Sequence, residues 1–450
     1  TRAVKTVFSE VPIRDRSNTP QTSWQRELTD RIDKQNDEKK YINLYVWLVL
    51  ACVCAAAEAS RPNIILIMSD DQGYYDLSCH GNTVLKTPAI DQLHGESTRL
   101  TQFHVSSSCA PTRAALMTGK HPFRSGVTHT IQNRERMSLD SVTLAEVLKG
   151  AGYTSGIFGK WHLGDESEYR PDNRGFDEAL IHGAGGLGQV KFGDHPDNGK
   201  NAYYDPTLYH NGDFVKKTGY CTDIFFNEAW SWILKQTEAK QPYFCYIATN
   251  TPHTPDSCDT KYSAPYEGKV PAPKYYGMIA NLDENVGTLL KRLKEQGSEE
   301  DTLVIFMTDN GHSKKRKWPS NAGQRGAKCS TYQGGIRVPF FVRWAGHFEA
   351  GLDVDHVAAH IDILPTLAEL AGATVPEPAK VEGMSLLPLL KEEDATLPSR
   401  AIYSHNGRWK DVPNKFSSAL RLGDYKLVGD KELYNIAEDP AEENNQFPDC

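Results

Sequence analysis

Five short, unbroken apolar runs constrain this chain more than any other feature. Asn63-Ile-Ile-Leu-Ile-Met68 is the first, and similar runs recur at Thr154–Phe158, Tyr243–Ala248, Leu303–Met307 and Val338–Val342. A strand with one wet face alternates apolar and polar residues, whereas a strand covered on both faces need not. The runs therefore read as strands of a sheet clad on both sides. Between them, Ser141–Lys149 and Tyr275–Leu293 carry apolar residues at the helical spacing of three and four. Strands alternating with helices predict an α/β sandwich on a mostly parallel central sheet.

The pattern changes after about Pro398. Ser418-Ala-Leu-Arg-Leu-Gly-Asp-Tyr-Lys-Leu-Val428 reads as a hairpin with Gly423-Asp424 at its turn, and Glu432-Leu-Tyr-Asn435 as another short strand. We expect a main body over 60–397 and a small antiparallel C-terminal subdomain over 398–450. The Gly-rich stretch Gly183–Gly188 follows no strand-to-helix pattern of a dinucleotide loop, and reads as a flexible loop.

Tyr41–Ala57 is the one long apolar stretch, preceded by Lys39 and Lys40. Ala57-Glu58-Ala59 fits a cleavage site before Ser60, so 41–59 reads as a secretory signal peptide. The mature product would then be secreted or periplasmic, with no transmembrane span. Val49-Leu-Ala-Cys52 is close to a lipobox, which would instead anchor the chain through Cys52, and an uncleaved anchor is the remaining reading. Residues 1–40 are polar and charge-rich, and we set them aside as an N-terminal extension.

Lys and Arg total 50 against 58 Asp and Glu, a net charge of −8. This argues against a nucleic-acid partner, which calls for a basic footprint. A polyanion would have to meet a local patch, and Lys314-Lys-Arg-Lys317 is one. Of nine cysteines, Cys52 and Cys54 lie in the apolar leader. Apart from Cys109, the others at 79, 221, 245, 258, 329 and 450 allow fifteen pairings, and spacing does not choose among them. No CxxC or Cys/His zinc spacing occurs, which argues against a structural zinc site.

The most informative segment is Ser107-Ser-Cys-Ala-Pro-Thr-Arg-Ala-Ala-Leu-Met-Thr-Gly119. Pro111 suits the first turn of a helix and Gly119 its end. Cys109 then sits at the helix N-terminus, where N–H groups and the dipole favour an anion. Arg113, one turn on, can face the same anion.

Cys109-Ala-Pro-Thr-Arg113 with the following Ala-Ala-Leu-Met-Thr-Gly resembles the sulfatase signature Cys-x-Pro-x-Arg. Gly152-Tyr-Thr-Ser-Gly-Ile-Phe-Gly-Lys-Trp-His-Leu-Gly164 resembles the second signature of that family. The resemblance runs in order from about Arg61 to Glu443. It implies an alkaline-phosphatase-like fold, and conversion of Cys109 to Cα-formylglycine by a maturation enzyme.

Asp70 and Asp71 follow the first apolar run, and Asp309-Asn310 follows a later one. Ligands of open α/β sheets gather beyond the carboxyl ends of the strands. Adjacent carboxylates aimed into one site repel unless a cation lies between them. Three carboxylates and an amide suit calcium, or magnesium, better than zinc. In register with the sulfatase pattern they read as metal ligands, joined by an oxygen of the converted Cys109.

Lys160 and His162, two positions apart, project to one side if the segment is extended. His253 lies between prolines in Asn250-Thr-Pro-His-Thr-Pro255. Lys328 aligns with a second lysine of the family, although Ala327 and Cys329 stand where glycines are usual. The resemblance implies catalytic roles for Cys109, Arg113, Lys160, His162, His253 and Lys328. The expected activity is sulfate monoester hydrolysis on a sulfated glycan or a small sulfate ester. The alternatives are a phosphate or phosphonate monoester hydrolase of the same fold, and a glycan-binding protein without catalysis.

Overall fold

The computed structural model describes residues 61–187, 203–313, 321–392, 394–409 and 417–447. The leader 41–59, the extension 1–40, the basic run Lys314–Lys317 and Cys450 lie outside them.

A ten-stranded sheet organises the main body. Its order is Asp353–Val354, Thr98–Leu100, Phe340–Arg343, Thr302–Thr308, Asn63–Ser69, Tyr243–Ala248, Thr154–Lys160, Glu178–His182, Thr207–His210 and Asp213–Lys216. The five strands from Thr302–Thr308 to Glu178–His182 are parallel to one another. They contain four of the apolar runs. The fifth run shifts to Phe340–Arg343 and pairs antiparallel with Thr302–Thr308. Among the described residues between the two, the one α-helix is Gln333–Ile336. It is too short to serve as the crossover that a parallel pairing requires.

Side chains alternate across the sheet as the strand period demands. Ile64, Leu66 and Met68 enter one core, with Leu116, Leu148 and Leu367 from the helices on that face. Ile65 and Ile67 enter the other, with Phe225, Ile233, Met278 and Leu282. Both faces are thus covered, as the unbroken runs require. Thr143 caps the Leu144–Gly150 helix through a reciprocal box with Glu146. The predicted Tyr275–Leu293 helix extends to Pro273–Gln296.

The C-terminal residues form a separate four-stranded antiparallel sheet: Ala401–His405, Ser418–Leu422, Tyr425–Val428 and Glu432–Asn435. Leu422 pairs with Tyr425, so Gly423 and Asp424 are the two turn residues, and Gly423 has φ of 54°. Glycine at the first turn position takes that sign of φ without a Cβ clash. Among the described residues, no disulfide joins the cysteines at 79, 109, 221, 245, 258 and 329 to one another. Among the described residues, no helix is long and apolar enough to cross a membrane.

Candidate active site

Asp70 and Asp71 follow the Asn63–Ser69 strand, Lys160 ends its strand, and Asp309 follows Thr308. His253 lies on the loop after Tyr243–Ala248. All reach one end of the sheet because the strands that carry them are parallel. The Cys109–Thr118 helix closes that end, with Ser108 extended before it and Gly119 left-handed after it.

Cys109 is 2% exposed. One atom each from Cys109, Asp70 and Asp309 lies within 4.8 Å of the others, and so does one each from Asp70, Asp71 and His253. Lys160 Nζ donates to Asp70 Oδ2 at 2.7 Å. Lys328 Nζ donates to Asp71 Oδ1 and lies 3.9 Å from Cys109 Sγ. His253 Nε2 is 3.8 Å from Asp71 Oδ2. Three buried carboxylates therefore face three buried cations: Lys160, Lys328 and Arg113.

Arg113 is turned inward. Its Nε and Nη2 donate to Asp309 Oδ2 at 3.1 and 2.8 Å, and Nη1 donates to the Lys160 carbonyl at 2.9 Å. The guanidinium expected to face an anion instead braces a carboxylate and the strand end beside it.

Lys160 and His162 do not share an extended segment, because His162 has φ of 63°. Its Nε2 is 2.8 Å from the Thr130 carbonyl. A carbonyl only accepts, so Nε2 carries the proton and Nδ1 holds the lone pair. That Nδ1 is buried without a partner among the described residues. Burial, with Lys160 and Arg113 nearby, holds the ring well below its ordinary pKa and therefore neutral.

Burial pushes Asp70 up to about 6 against the pull of Lys160, and also pushes Asp309 up. Burial acts the same way on Asp71, but Lys328 and His253 outweigh it and hold that carboxyl low. Burial would also raise the Cys109 thiol, yet Lys160 and Lys328 together hold it below its ordinary value. His253 is lowered to about 4, chiefly by burial.

Asp70 Oδ1 and Asn310 Oδ1 are buried with no hydrogen-bond partner among the described residues. Asn310 spends its nitrogen on Asp71 Oδ1 at 2.8 Å, which leaves its oxygen free. Orphaned oxygens among carboxylates are a donor set that fits a hard divalent cation.

The departure at Cys329 has a visible consequence: its φ is 64°, a left-handed conformation that a glycine adopts at lower cost. Its N–H still reaches the Ser107 carbonyl at 2.6 Å, and Lys328 still reaches the site. Sequence reasoning missed His182, which pairs in register with Lys160 and is buried with Nε2 unpartnered among the described residues. It also missed Tyr246, whose hydroxyl lies 3.5 Å from Arg113 Nη1. Their strand-end or mid-strand positions were the only signal.

Such a cluster at the carboxyl end of a sandwiched, mostly parallel sheet defines an α/β ester hydrolase with an alkaline-phosphatase-like fold. Residues 62–373 match the family model described as Sulfatase, and 327–450 match N-sulphoglucosamine sulphohydrolase, C-terminal. Arylsulfatase A of Homo sapiens is 34% identical over 400 residues, covering 84% of this chain and 77% of the relative. N-acetylgalactosamine-6-sulfatase of Canis lupus familiaris is 30% identical, covering 85% and 74%. The crystal structure of Ps i-CgsB in complex with k-i-k-neocarrahexaose superimposes with a TM-score of 0.75 at 31% identity, covering 85% and 88%. The chain belongs to the sulfatase family and is a sulfatase, an enzyme that hydrolyses sulfate esters.

Proposed function

We propose that this sulfatase cleaves sulfate monoesters of carbohydrates through an oxidised Cys109, with one hard divalent cation beside it. The observation that carries the reading is the convergence of Cys109, Asp70 and Asp309 at the N-terminus of the Cys109–Thr118 helix. The Ps i-CgsB structure is in complex with k-i-k-neocarrahexaose, an oligosaccharide, which supports a glycan substrate for this chain.

Asp70, Asp71, Asp309 and Asn310 would hold calcium, with magnesium as the second choice, together with an oxygen of residue 109. Bound there, the ion supplies positive charge that favours the ionised nucleophile and offsets the charge of the sulfate. A maturation enzyme, drawing on an external oxidant, oxidises the Cys109 side chain to the aldehyde of formylglycine with loss of its sulfur, and the aldehyde hydrates to a gem-diol. One hydroxyl attacks sulfur, and the S–O bond to the alcohol breaks. His253 and Lys328 protonate or polarise the leaving oxygen. His162 Nδ1 then takes the proton of the second hydroxyl, the C=O re-forms, and sulfate leaves with the C–O electron pair. A serine ester would lack this second exit. Lys160 and Lys328 balance charge on the transferring group, and Arg113 holds Asp309 in place.

We read residues 60–397 as the catalytic body, 398–450 as a C-terminal subdomain, and 41–59 as a signal that directs secretion. Mass spectrometry of the Cys109 peptide from natively produced protein tests the central claim: it should be about 18 Da lighter than the thiol form. An unmodified thiol in active protein would refute it. Parallel assays on matched aryl sulfate and aryl phosphate separate this reading from a phosphate or phosphonate ester hydrolase. Turnover of neither, by fully converted protein, would favour the glycan-binding alternative.

A further inference from the structure

Away from this site, Cys79, His80 and His94 bring a thiol and two imidazoles together. Cys79 and His80 lie in the 3-10 turn Ser78–His80, and His94 in the last turn of the Pro88–Gly95 helix. One donor atom from each lies within 4.8 Å of the others, and all three residues are half-buried. We propose that these residues form a second metal site, selective for zinc or a similarly soft ion, with its fourth position open to water.

The supporting geometry is that of groups held in place. His80 Nδ1 donates to the Tyr74 carbonyl at 2.8 Å, which leaves Nε2 as the bare lone pair. A ligating histidine ordinarily gives its other N–H to such a carbonyl. The His80 ring stacks on Tyr74 at 3.9 Å, and both imidazoles meet Phe341 edge-on, at 5.6 and 5.0 Å. Cys79 is held through its backbone N–H, which donates to Asp91 Oδ1 at 2.9 Å. Asp91 also accepts from Ser78 Oγ at 2.6 Å and Thr87 Oγ1 at 2.9 Å. Its oxygens thus brace the turn that carries Cys79.

Two guanidinium groups and one carboxylate border the three residues. Arg99 Nη1 donates to His94 Nδ1 at 3.4 Å, a long contact that an ion taking that nitrogen would displace, while Arg99 Nε stays paired with Asp353 at 2.6 Å. Arg337 sits 4.3 Å over the Tyr74 ring, and the Asp91 carboxylate lies beside Cys79. One sulfur and two nitrogens favour zinc over the hard cations proposed for the carboxylate site. The linear spacing, adjacent Cys and His with the second His fourteen positions on, matches no regular zinc pattern. Tertiary packing alone assembles the set.

The test is a cobalt(II) titration of the full-length, mature protein in excess calcium, followed by displacement with zinc. One equivalent of cobalt should produce a sulfur-to-cobalt charge-transfer band in the near ultraviolet, and zinc should abolish it. Cys79→Ser should remove the band, and His94→Gln should weaken cobalt binding about tenfold or more. Zinc should raise the melting temperature of the wild type and leave that of His94→Gln unchanged. Absence of the band from the wild type, or its persistence in folded Cys79→Ser, overturns the proposal. Should Cys79→Ser fail to fold, an unaltered cobalt affinity in His94→Gln does the same.

Discussion

Arg113 donates twice to a single oxygen of Asp309, Oδ2, across 196 positions of sequence. Its third contact, to the Lys160 carbonyl, ties the helix that carries Cys109 to the strand that carries Lys160. Arg113→Lys keeps the charge but loses the fork. Affinity for the proposed calcium ion, measured by titration, should fall roughly 10–100-fold. Arg113→Ala leaves a buried carboxylate uncompensated and should cost about 3–5 kcal/mol in chemical denaturation.

Removal of the proposed nucleophile is the most direct kinetic check. Cys109→Ala should lower turnover of an aryl sulfate on the order of 10⁴-fold or more, with the fold intact by circular dichroism. Residual activity near wild type would refute the scheme.

Gly159 precedes Lys160 with φ of 120°, and a Cβ built on it would lie 2.1 Å from the Ala248 carbonyl oxygen. Gly159→Ala should cost about 2–4 kcal/mol of stability and displace Lys160 from Asp70. Denaturant midpoint and kcat should fall together.

Asp165 is buried, and burial pushes its carboxyl up from the ordinary 3.8 to about 7, with Glu135 and Glu166 adding to the rise. Between those values the folded state holds a proton that the unfolded state has lost, so stability falls as pH rises through this window. The penalty is complete above about 7. Asp165→Asn should therefore gain on the wild type, by on the order of a few kcal/mol, between pH 4 and 7, then level off. A stability difference that stays flat across that range would show that Asp165 does not titrate this way.

Removing the charges of Lys314-Lys-Arg-Lys317 should raise KM for a sulfated glycan and leave KM for a small aryl sulfate nearly unchanged. An equal effect on both substrates would count against a polyanion-binding role.

Local patterns carried much of this protein. Apolar runs without alternation identified strands covered on both faces, because such strands have no wet side to mark. Pro111 and Gly119 bracketed the helix that presents Cys109, since each suits one helix end for a backbone reason. Asp70, Asp71, Asp309 and Asn310 were visible as strand-end residues. Contacts between distant segments were not legible. Arg113 turns from an expected anion to Asp309, and φ of 63° at His162 breaks the extended geometry its spacing suggested. Phe340–Arg343 runs antiparallel, His182 enters beside Lys160, and Cys79 meets His94 only through the packing of a turn on a helix. Period and capping act within one element, so the amino-acid order records them. Which side chain a buried charge meets depends on strand order and direction, and only the folded sheet sets those.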